Sequence, residues 1–169
     1  MWCENIAQLQ ISPDNHIYDW LTKPYILSQA LRKVCVHLSV KVLTQKLQTD
    51  NSLIRQVYLL GDGIPWVFAE TLVAADTYQQ YKDIFDKLNN NLIGETLLYG
   101  NPNTKRYAFE YALIEHNNSR LWARKSDFNI CNYKNIIIIF SSRGKHEWLH
   151  GSLPHTSKHA WPKSKRYFC

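Results

Sequence analysis

The segment that most constrains the fold runs from Asn51 to Val73 and reads NSLIRQVYLLGDGIPWVFAETLV. Two runs rich in β-branched and aromatic residues flank GDG, whose aspartate and glycine favour the positive φ values of a tight hairpin turn. If the first run is a strand, Arg55, Val57 and Leu59 share one face, because side chains alternate along a strand. A cation on a buried face is costly unless something compensates it. The segment therefore predicts a hairpin that carries an arginine in need of a partner.

Four more segments show the alternation or the β-branched enrichment of strands. They are VCVHLSVKVL from Val34, KRYAFEYALI, RLWARKSDFNI and NIIIIF. Most consecutive strands are joined by connections that are too short for a parallel crossover. The sequence therefore predicts a single six-stranded antiparallel sheet.

Helical periodicity occurs in SPDNHIYDWL, KPYILSQALRK and DTYQQYKDIFDKLNNN, and LIGETLLYG is typical of a further short helix or turn. An antiparallel sheet buries its apolar face by grouping helices against it. We therefore expect an α+β fold with the helices on one side of the sheet.

The strand charges and tryptophans have simple interpretations. We expect Arg124 and Lys125, in LWARKS, to be solvated charges on a strand surface, because charged side chains are seldom fully buried. Trp66 and Trp122 are predicted to pack in the core. None of these four residues is a first choice for contacting a ligand.

The composition fits one domain without a membrane span. A length of 169 residues suits a single domain, and 45% hydrophobic residues with 13% aromatics supply one core. No run approaches the roughly 18 apolar residues of a spanning helix, and MWCENIAQLQ lacks the parts of a secretory signal. We therefore expect a cytoplasmic protein with free thiols, since no CxxC pair occurs among its cysteines: Cys3, Cys35, Cys131 and Cys169.

The net charge of +6 is concentrated at the C-terminus, because residues 143–169 carry five of these six net charges. We expect residues 1–140 to form the folded domain and residues 141–169 to be a basic, His-rich, poorly ordered tail. The nearly neutral body offers no basic face for a phosphate backbone. We therefore expect no nucleic-acid partner, with single-stranded nucleic acid on the tail as the alternative.

The tail also contains histidines at spacings that invite a zinc interpretation: His146, His150, His155 and His159. Gly151 and Pro154 interrupt any helix that would place these histidines on one face. No cysteine lies at ligand spacing from them. The sequence therefore predicts no metal site.

Four segments in order resemble the chorismate pyruvate-lyase family, which makes 4-hydroxybenzoate for ubiquinone biosynthesis: WLTKPYILSQAL, IRQVYLLGDGIPWVFAETL, LIGETLL and LWARKS. The resemblance extends from about Trp20 to about Ile139. It implies a six-stranded antiparallel sheet with helical flaps over a buried site. It also implies conversion of chorismate to 4-hydroxybenzoate and pyruvate without a metal or cofactor, and we expect a monomer.

The resemblance assigns roles to three residues. Arg55 corresponds to the catalytic arginine that grips the carboxylate of the substrate or product, and a guanidinium can do so with two parallel hydrogen bonds. Ile93 corresponds to a residue whose backbone contacts the ligand, and Leu27 corresponds to a flap contact. The residues alone allow other interpretations. Arg55 could pair with a carboxylate such as Glu70 or Glu110 across the sheet, or extend its charged end to solvent. Ile93 and Leu27 could be ordinary core residues.

The last predicted strand departs from the family pattern. The resemblance places an active-site glutamate where this chain has Phe140. A buried carboxylic acid could donate a proton or a hydrogen bond to the substrate, so we expect the lyase activity to be impaired. Glu70 is a second departure, since many members have arginine there. The alternative function is a non-enzymatic sensor domain of the same fold that binds a small aromatic acid.

Overall fold

Six antiparallel strands form the sheet of the computed structural model, which describes residues 1–11, 16–22, 24, 26–99, 101–116, 119–130 and 133–143. The strands are β1 Leu38–Leu47, β2 Leu53–Gly61, β3 Ile64–Val73, β4 Thr104–His116, β5 Ser119–Ile130 and β6 Tyr133–Arg143. They lie in the order β1-β2-β3-β6-β5-β4. Each neighbouring pair is antiparallel. The antiparallel α+β class is therefore confirmed.

The hairpin of β2 and β3 forms at the predicted place. Its two-residue turn consists of Asp62 and Gly63, whose φ values are 50° and 83°. Positive φ at both positions gives the turn the twist that flanking strands require. Alternate residues of β2 are buried along its whole length, as the alternation in the sequence predicted.

The first strand begins later than predicted, because β1 starts at Leu38 and not at Val34. The carboxylate of Asp62 accepts hydrogen bonds from the backbone N–H groups of Val36 (3.3 Å) and His37 (2.7 Å). Val36 is fully exposed. The hairpin turn thus holds the segment before β1 as a loop, and the prediction of a strand there was wrong.

The helices are short. They are a 3-10 helix Ile6–Leu9, α1 His16–Thr22, α2 Leu27–Arg32, α3 Ala75–Gln80, α4 Lys82–Asp86 and a π turn Gly94–Leu98. The sequence predicted one helix across the region of α3 and α4. Tyr81 interrupts it with φ −116° and ψ 23°, outside the helical region, and its side chain packs against a core cluster. The prediction of a continuous helix was therefore wrong.

The helices pack on the sheet face that carries Arg55. On one side of Arg55, α2 packs against β2 and β3 in a cluster that includes Val57. On the other side, α3, α4 and the π turn pack in a second cluster that includes Leu53. Trp66 packs against the first cluster, as predicted. Arg55 therefore lies on β2 between two apolar clusters.

The N-terminal segment reaches the outer edge of β4. There Cys3 and Tyr111 exchange two backbone hydrogen bonds of 2.9 and 2.7 Å. A third apolar cluster forms beneath this contact from the 3-10 helix, α1 and β4, and Trp122 packs against it. These contacts anchor the first residues of the chain to the edge of the sheet that β4 forms.

Several predictions fall on residues beyond the described ranges. These are the poorly ordered tail from residue 144 onward, its four histidines, and the thiols of Cys131 and Cys169. β6 extends to Arg143, three residues past the expected domain boundary. In the described part, Cys3 and Cys35 are free thiols, and no helix there is both long and apolar enough to cross a membrane.

Candidate functional site

A cavity lies between the sheet and the helical segments that cover it. Its lining is mostly apolar and comes from β1, β2 and β3 on one side and from α2 and the region of the π turn on the other. The polar residues that line it are few: Ser28, Arg55, Thr71, Asn91 and Tyr99. An apolar cavity with a few polar groups is typical of a small-molecule site.

The structure brings together the three residues singled out from the sequence. Leu27 is the first residue of α2, Arg55 lies on β2, and Ile93 directly precedes the π turn. All three line the same cavity. Their roles in binding stay predictions, whereas their proximity is a property of the fold.

Arg55 is only 3% exposed and is held by neutral partners. Its Nη1 donates to Gln45 Oε1, and its Nη2 donates to the backbone oxygens of Asn89 (2.7 Å) and Asn91 (3.1 Å). Gln45 Nε2 in turn donates to the backbone oxygen of Phe85 at 2.9 Å. Arg55 and Gln45 thus tie the sheet to the backbone between α4 and the π turn.

No carboxylate among the described residues pairs with Arg55. Glu70 accepts a hydrogen bond of 2.5 Å from Gln56 Nε2, and Glu110 forms a 2.7 Å ion pair with Lys125. Alternation along the strands places both glutamates on the opposite face of the sheet. The interpretation in which Arg55 pairs with Glu70 or Glu110 was therefore wrong.

The neutral partners satisfy the hydrogen bonds of Arg55 without cancelling its charge. Burial lowers the pKa of its guanidinium, but an arginine stays protonated at neutral pH. Charge-assisted hydrogen bonds are roughly twice as strong as neutral ones. The cavity wall therefore carries a positive charge that none of the neutral partners of Arg55 cancels, which favours an anionic ligand.

Tyr99 is the other ionisable group on the cavity wall. Burial raises the pKa of its phenol, although Arg106 and Arg124 act in the opposite direction. The phenol is therefore protonated at neutral pH. Its ring packs edge-on to Phe128, with centroids 6.3 Å apart.

Arg124 is buried, so the prediction of a solvated charge was wrong for it. It is 3% exposed, and its Nη1 donates to the backbone oxygens of Trp20 (3.2 Å) and Leu21 (3.3 Å) in α1. Its Cζ lies 4.3 Å from the centroid of the Phe109 ring. The neighbouring Lys125 is partly exposed and pairs with Glu110 on the other face.

Sequence reasoning missed the hydroxyl-bearing residues that line the cavity, which are Ser28, Thr71 and Tyr99. No signal was available for Thr71. The two-residue turn pairs Gly61 with Ile64, and this register alone would place Glu70 opposite Arg55. The irregularity between Leu59 and Leu60 shifts the pairing by one residue, so that Thr71 lies opposite Arg55. Residues opposite each other in an antiparallel pair share a face. No signal pointed to Ser28 or Tyr99 either, which lie in α2 and directly after the π turn.

Phe140, at the position where the family resemblance implies a glutamate, lies in β6. It pairs with Ala69 of β3 and with Arg124 of β5. Ala69 lines the cavity, so position 140 is on the strand beside the cavity wall. None of the described residues that line the cavity carries a carboxylate.

Comparisons with known proteins identify a family and several relatives. Residues 2–140 match the family model described as chorismate lyase. The chain is 32% identical over 127 residues to the "Probable chorismate pyruvate-lyase" of Photobacterium profundum, a match that covers 67% of this chain and 70% of that protein. It is 31% identical over 157 residues to the protein of the same name from Shewanella frigidimarina, covering 70% and 76%. It is 28% identical over 125 residues to the "Chorismate pyruvate-lyase" of Pectobacterium carotovorum, covering 66% and 68%.

Proposed function

Because this chain belongs to the chorismate lyase family, we propose that it removes pyruvate from chorismate to give 4-hydroxybenzoate. This would be the first step of ubiquinone biosynthesis, carried out in the cytoplasm. The observation that carries the proposal is Arg55, a buried cation with only neutral partners among the described residues, on the wall of an apolar cavity. Substrate and product both combine a six-membered ring with a carboxylate. The ring suits the apolar wall of the cavity, and the carboxylate suits Arg55.

The reaction asks little covalent chemistry of the protein. The bond between the ring carbon and the enolpyruvyl oxygen breaks, and its electron pair stays with the oxygen. The adjacent ring carbon loses its proton, and the electrons of that C–H bond complete the aromatic ring. The enolpyruvyl methylene carbon gains a proton, so pyruvate is released. The protein has to hold the substrate in a reactive pose and to stabilise the shifting negative charge.

The cavity residues divide this task in the proposal. Arg55 binds a carboxylate and fixes the ring. Leu27 and Ile93 close the cavity from α2 and from the start of the π turn, with the backbone of Ile93 in contact with the ligand. These two helical segments act as the flaps, and their separation from the sheet would admit the substrate and release the product.

Purified protein mixed with chorismate tests the reaction. We expect 4-hydroxybenzoate, followed by its absorbance after chromatographic separation, and an equal amount of pyruvate, measured with lactate dehydrogenase and NADH. Phe140→Glu restores a carboxylate beside the cavity wall and should accelerate the reaction. If neither the wild-type protein nor the Phe140→Glu variant forms either product, the proposed reaction is wrong.

The second candidate function is a non-enzymatic sensor of a small aromatic acid. The observation that favours it is the absence of a carboxylate among the described residues of the cavity wall, together with Phe140 in the strand beside it. A sensor would bind 4-hydroxybenzoate without converting chorismate, and Phe140→Glu would not create turnover. Turnover by the wild-type protein would exclude it.

A further inference from the structure

The contacts of Arg55 limit how it can hold a carboxylate. A guanidinium has two edges that donate a parallel pair of hydrogen bonds, Nη1 with Nη2 and Nη2 with Nε, and each edge uses one hydrogen of Nη2. Here Nη2 has two acceptors for its two hydrogens, the backbone oxygens of Asn89 and Asn91. A carboxylate could therefore use neither edge without displacing a backbone oxygen. The donors that remain are the N–H of Nε and the second hydrogen of Nη1, which do not lie on a common edge.

A second donor is present beside Arg55. Thr71 lies opposite Arg55 in the β2–β3 pair, and residues in this relationship have Cβ atoms about 5 Å apart. Thr71 is 4% exposed and lines the cavity. Its hydroxyl group therefore lies within reach of any anion that Arg55 binds.

The hydroxyl of Thr71 is available for a ligand. It forms no hydrogen bond with any other residue that the structure describes. The side-chain atoms that are both fully enclosed and unpartnered, within that part of the chain, are oxygens of Thr104, Asp127 and Asn129. The hydroxyl of Thr71 is not among them, and Thr71 lines the cavity.

We propose that Thr71 is a ligand-binding residue: its hydroxyl donates to one oxygen of the ligand carboxylate while Arg55 donates to the other. The two residues thus form one anion site with donors on adjacent strands. Asn89 and Asn91 keep their hydrogen bonds to Arg55 in this arrangement, so the backbone between α4 and the π turn stays in place. The inference rests on the proposed function for the kind of ligand, an aromatic carboxylate.

Titration with 4-hydroxybenzoate, followed by calorimetry, tests this role in Thr71→Val and Thr71→Ser. Valine has the shape of threonine without its hydroxyl, and serine keeps the hydroxyl. Hydrogen bonds to charged groups contribute enough that we expect Thr71→Val to bind about 10- to 100-fold more weakly. Thr71→Ser should stay within about threefold of the wild-type protein. Phenol lacks the carboxylate, so its affinity should be the same for all three proteins. Its affinity is measured by the displacement of a fluorescent probe that is bound in the cavity.

The outcomes separate the role of Thr71 from a loss of structure. Equal affinity of Thr71→Val and wild-type protein for 4-hydroxybenzoate would overturn the inference, as would a wild-type protein that does not bind this ligand. A parallel loss of phenol affinity in Thr71→Val would also overturn it, since the effect would then not depend on the anion. If the wild-type protein binds 4-hydroxybenzoate but neither it nor the Phe140→Glu variant converts chorismate, the proposed reaction is contradicted, and the affinity comparison still decides the role of Thr71.

Discussion

Gly94 lies directly against the ring of Tyr99. A Cβ atom on Gly94 would be 2.4 Å from Cε2 of that ring, which is closer than real Cβ contacts allow. The backbone of Tyr99 also donates a 2.7 Å hydrogen bond to the oxygen of Gly94. Both residues line the cavity. The glycine is therefore required by close approach at the place where the π turn meets the cavity wall.

Gly94→Ala should consequently disturb both stability and ligand affinity. The added methyl group must displace the Tyr99 ring or the π turn, and overpacking of this kind costs about 1–3 kcal/mol. We expect a lower unfolding midpoint in thermal denaturation and a weaker affinity for 4-hydroxybenzoate. Gly61→Ala is the matched control, because its Cβ would be 2.5 Å from the Trp66 ring and Gly61 does not line the cavity. It should lower stability alone, and an equal loss of affinity in both variants would contradict the argument.

Gln45→Glu should weaken the binding of an aromatic carboxylate. The side-chain oxygen of Gln45 accepts from Arg55, so a carboxylate there would neutralise the cation and repel the ligand. We expect the affinity for 4-hydroxybenzoate to fall about tenfold or more. Gln48→Glu makes the same change of charge in the β1–β2 turn, where Gln48 contacts Ser52, and should have little effect. Unchanged binding by Gln45→Glu would show that the charge of Arg55 does not attract the ligand.

Arg55→Lys should lose both stability and activity. A lysine ammonium is a point charge with three donors and cannot reproduce the separate bonds to Gln45, Asn89 and Asn91. The bonds to the backbone oxygens of Asn89 and Asn91 are partly buried, and a polar group that loses its partner in such a place costs about 1–3 kcal/mol. We expect a lower midpoint in chemical denaturation, and kcat/KM for chorismate should fall by about tenfold or more. Unchanged kinetics in the folded variant would remove Arg55 from the mechanism.

Arg124→Met should destabilise the fold much more than the neighbouring change Lys125→Met. Arg124 is buried and donates to two backbone oxygens of α1, so its loss should lower the free energy of unfolding by about 2 kcal/mol or more. Lys125 forms a partly exposed pair with Glu110, and its loss should cost about 1 kcal/mol or less. Chemical denaturation of both variants checks the order. A smaller effect at Arg124 than at Lys125 would mean that Arg124 does not anchor α1.

Two truncations should distinguish the end of the sheet from the tail. A chain that ends at Arg143 retains all of β6, and we expect its unfolding midpoint to match that of the full chain. A chain that ends at Phe140 loses the pairs of Ser141, Ser142 and Arg143 with β5. Its midpoint should be lower by several degrees, since about 1 kcal/mol shifts the midpoint of a domain of this size by roughly 2–8 °C. Equal midpoints for the two truncations would show that the last residues of β6 add no stability.

The sequence predicted the hairpin well because its information is local. Alternation identifies the face of a strand, and GDG identifies the turn, so the orientation of Arg55 toward the core followed from neighbouring residues. Its partners did not follow, because Asn89 and Asn91 contact it through backbone oxygens, which every residue has. Periodicity reports which residues are buried but not which groups meet there.

Arg124 shows the same limit from the opposite direction. Its charge predicted solvent exposure, whereas the carbonyl groups at the end of α1 and the ring of Phe109 provide a buried environment for it. The sequence pattern also did not predict the helix break at Tyr81, because the helical spacing of apolar residues continues across α3 and α4. In both cases, at Arg124 and at Tyr81, tertiary contacts override the structure that the local sequence favours.

The contact between Cys3 and Tyr111 changes what β4 can offer to other chains. β4 is an edge strand of the sheet. Without this contact it would expose a long row of unpaired peptide groups, which is a template for aggregation. The bridge occupies that row near its middle and divides it into two shorter stretches. A strand from another chain would have to displace the N-terminal segment before it could pair with the whole length of β4.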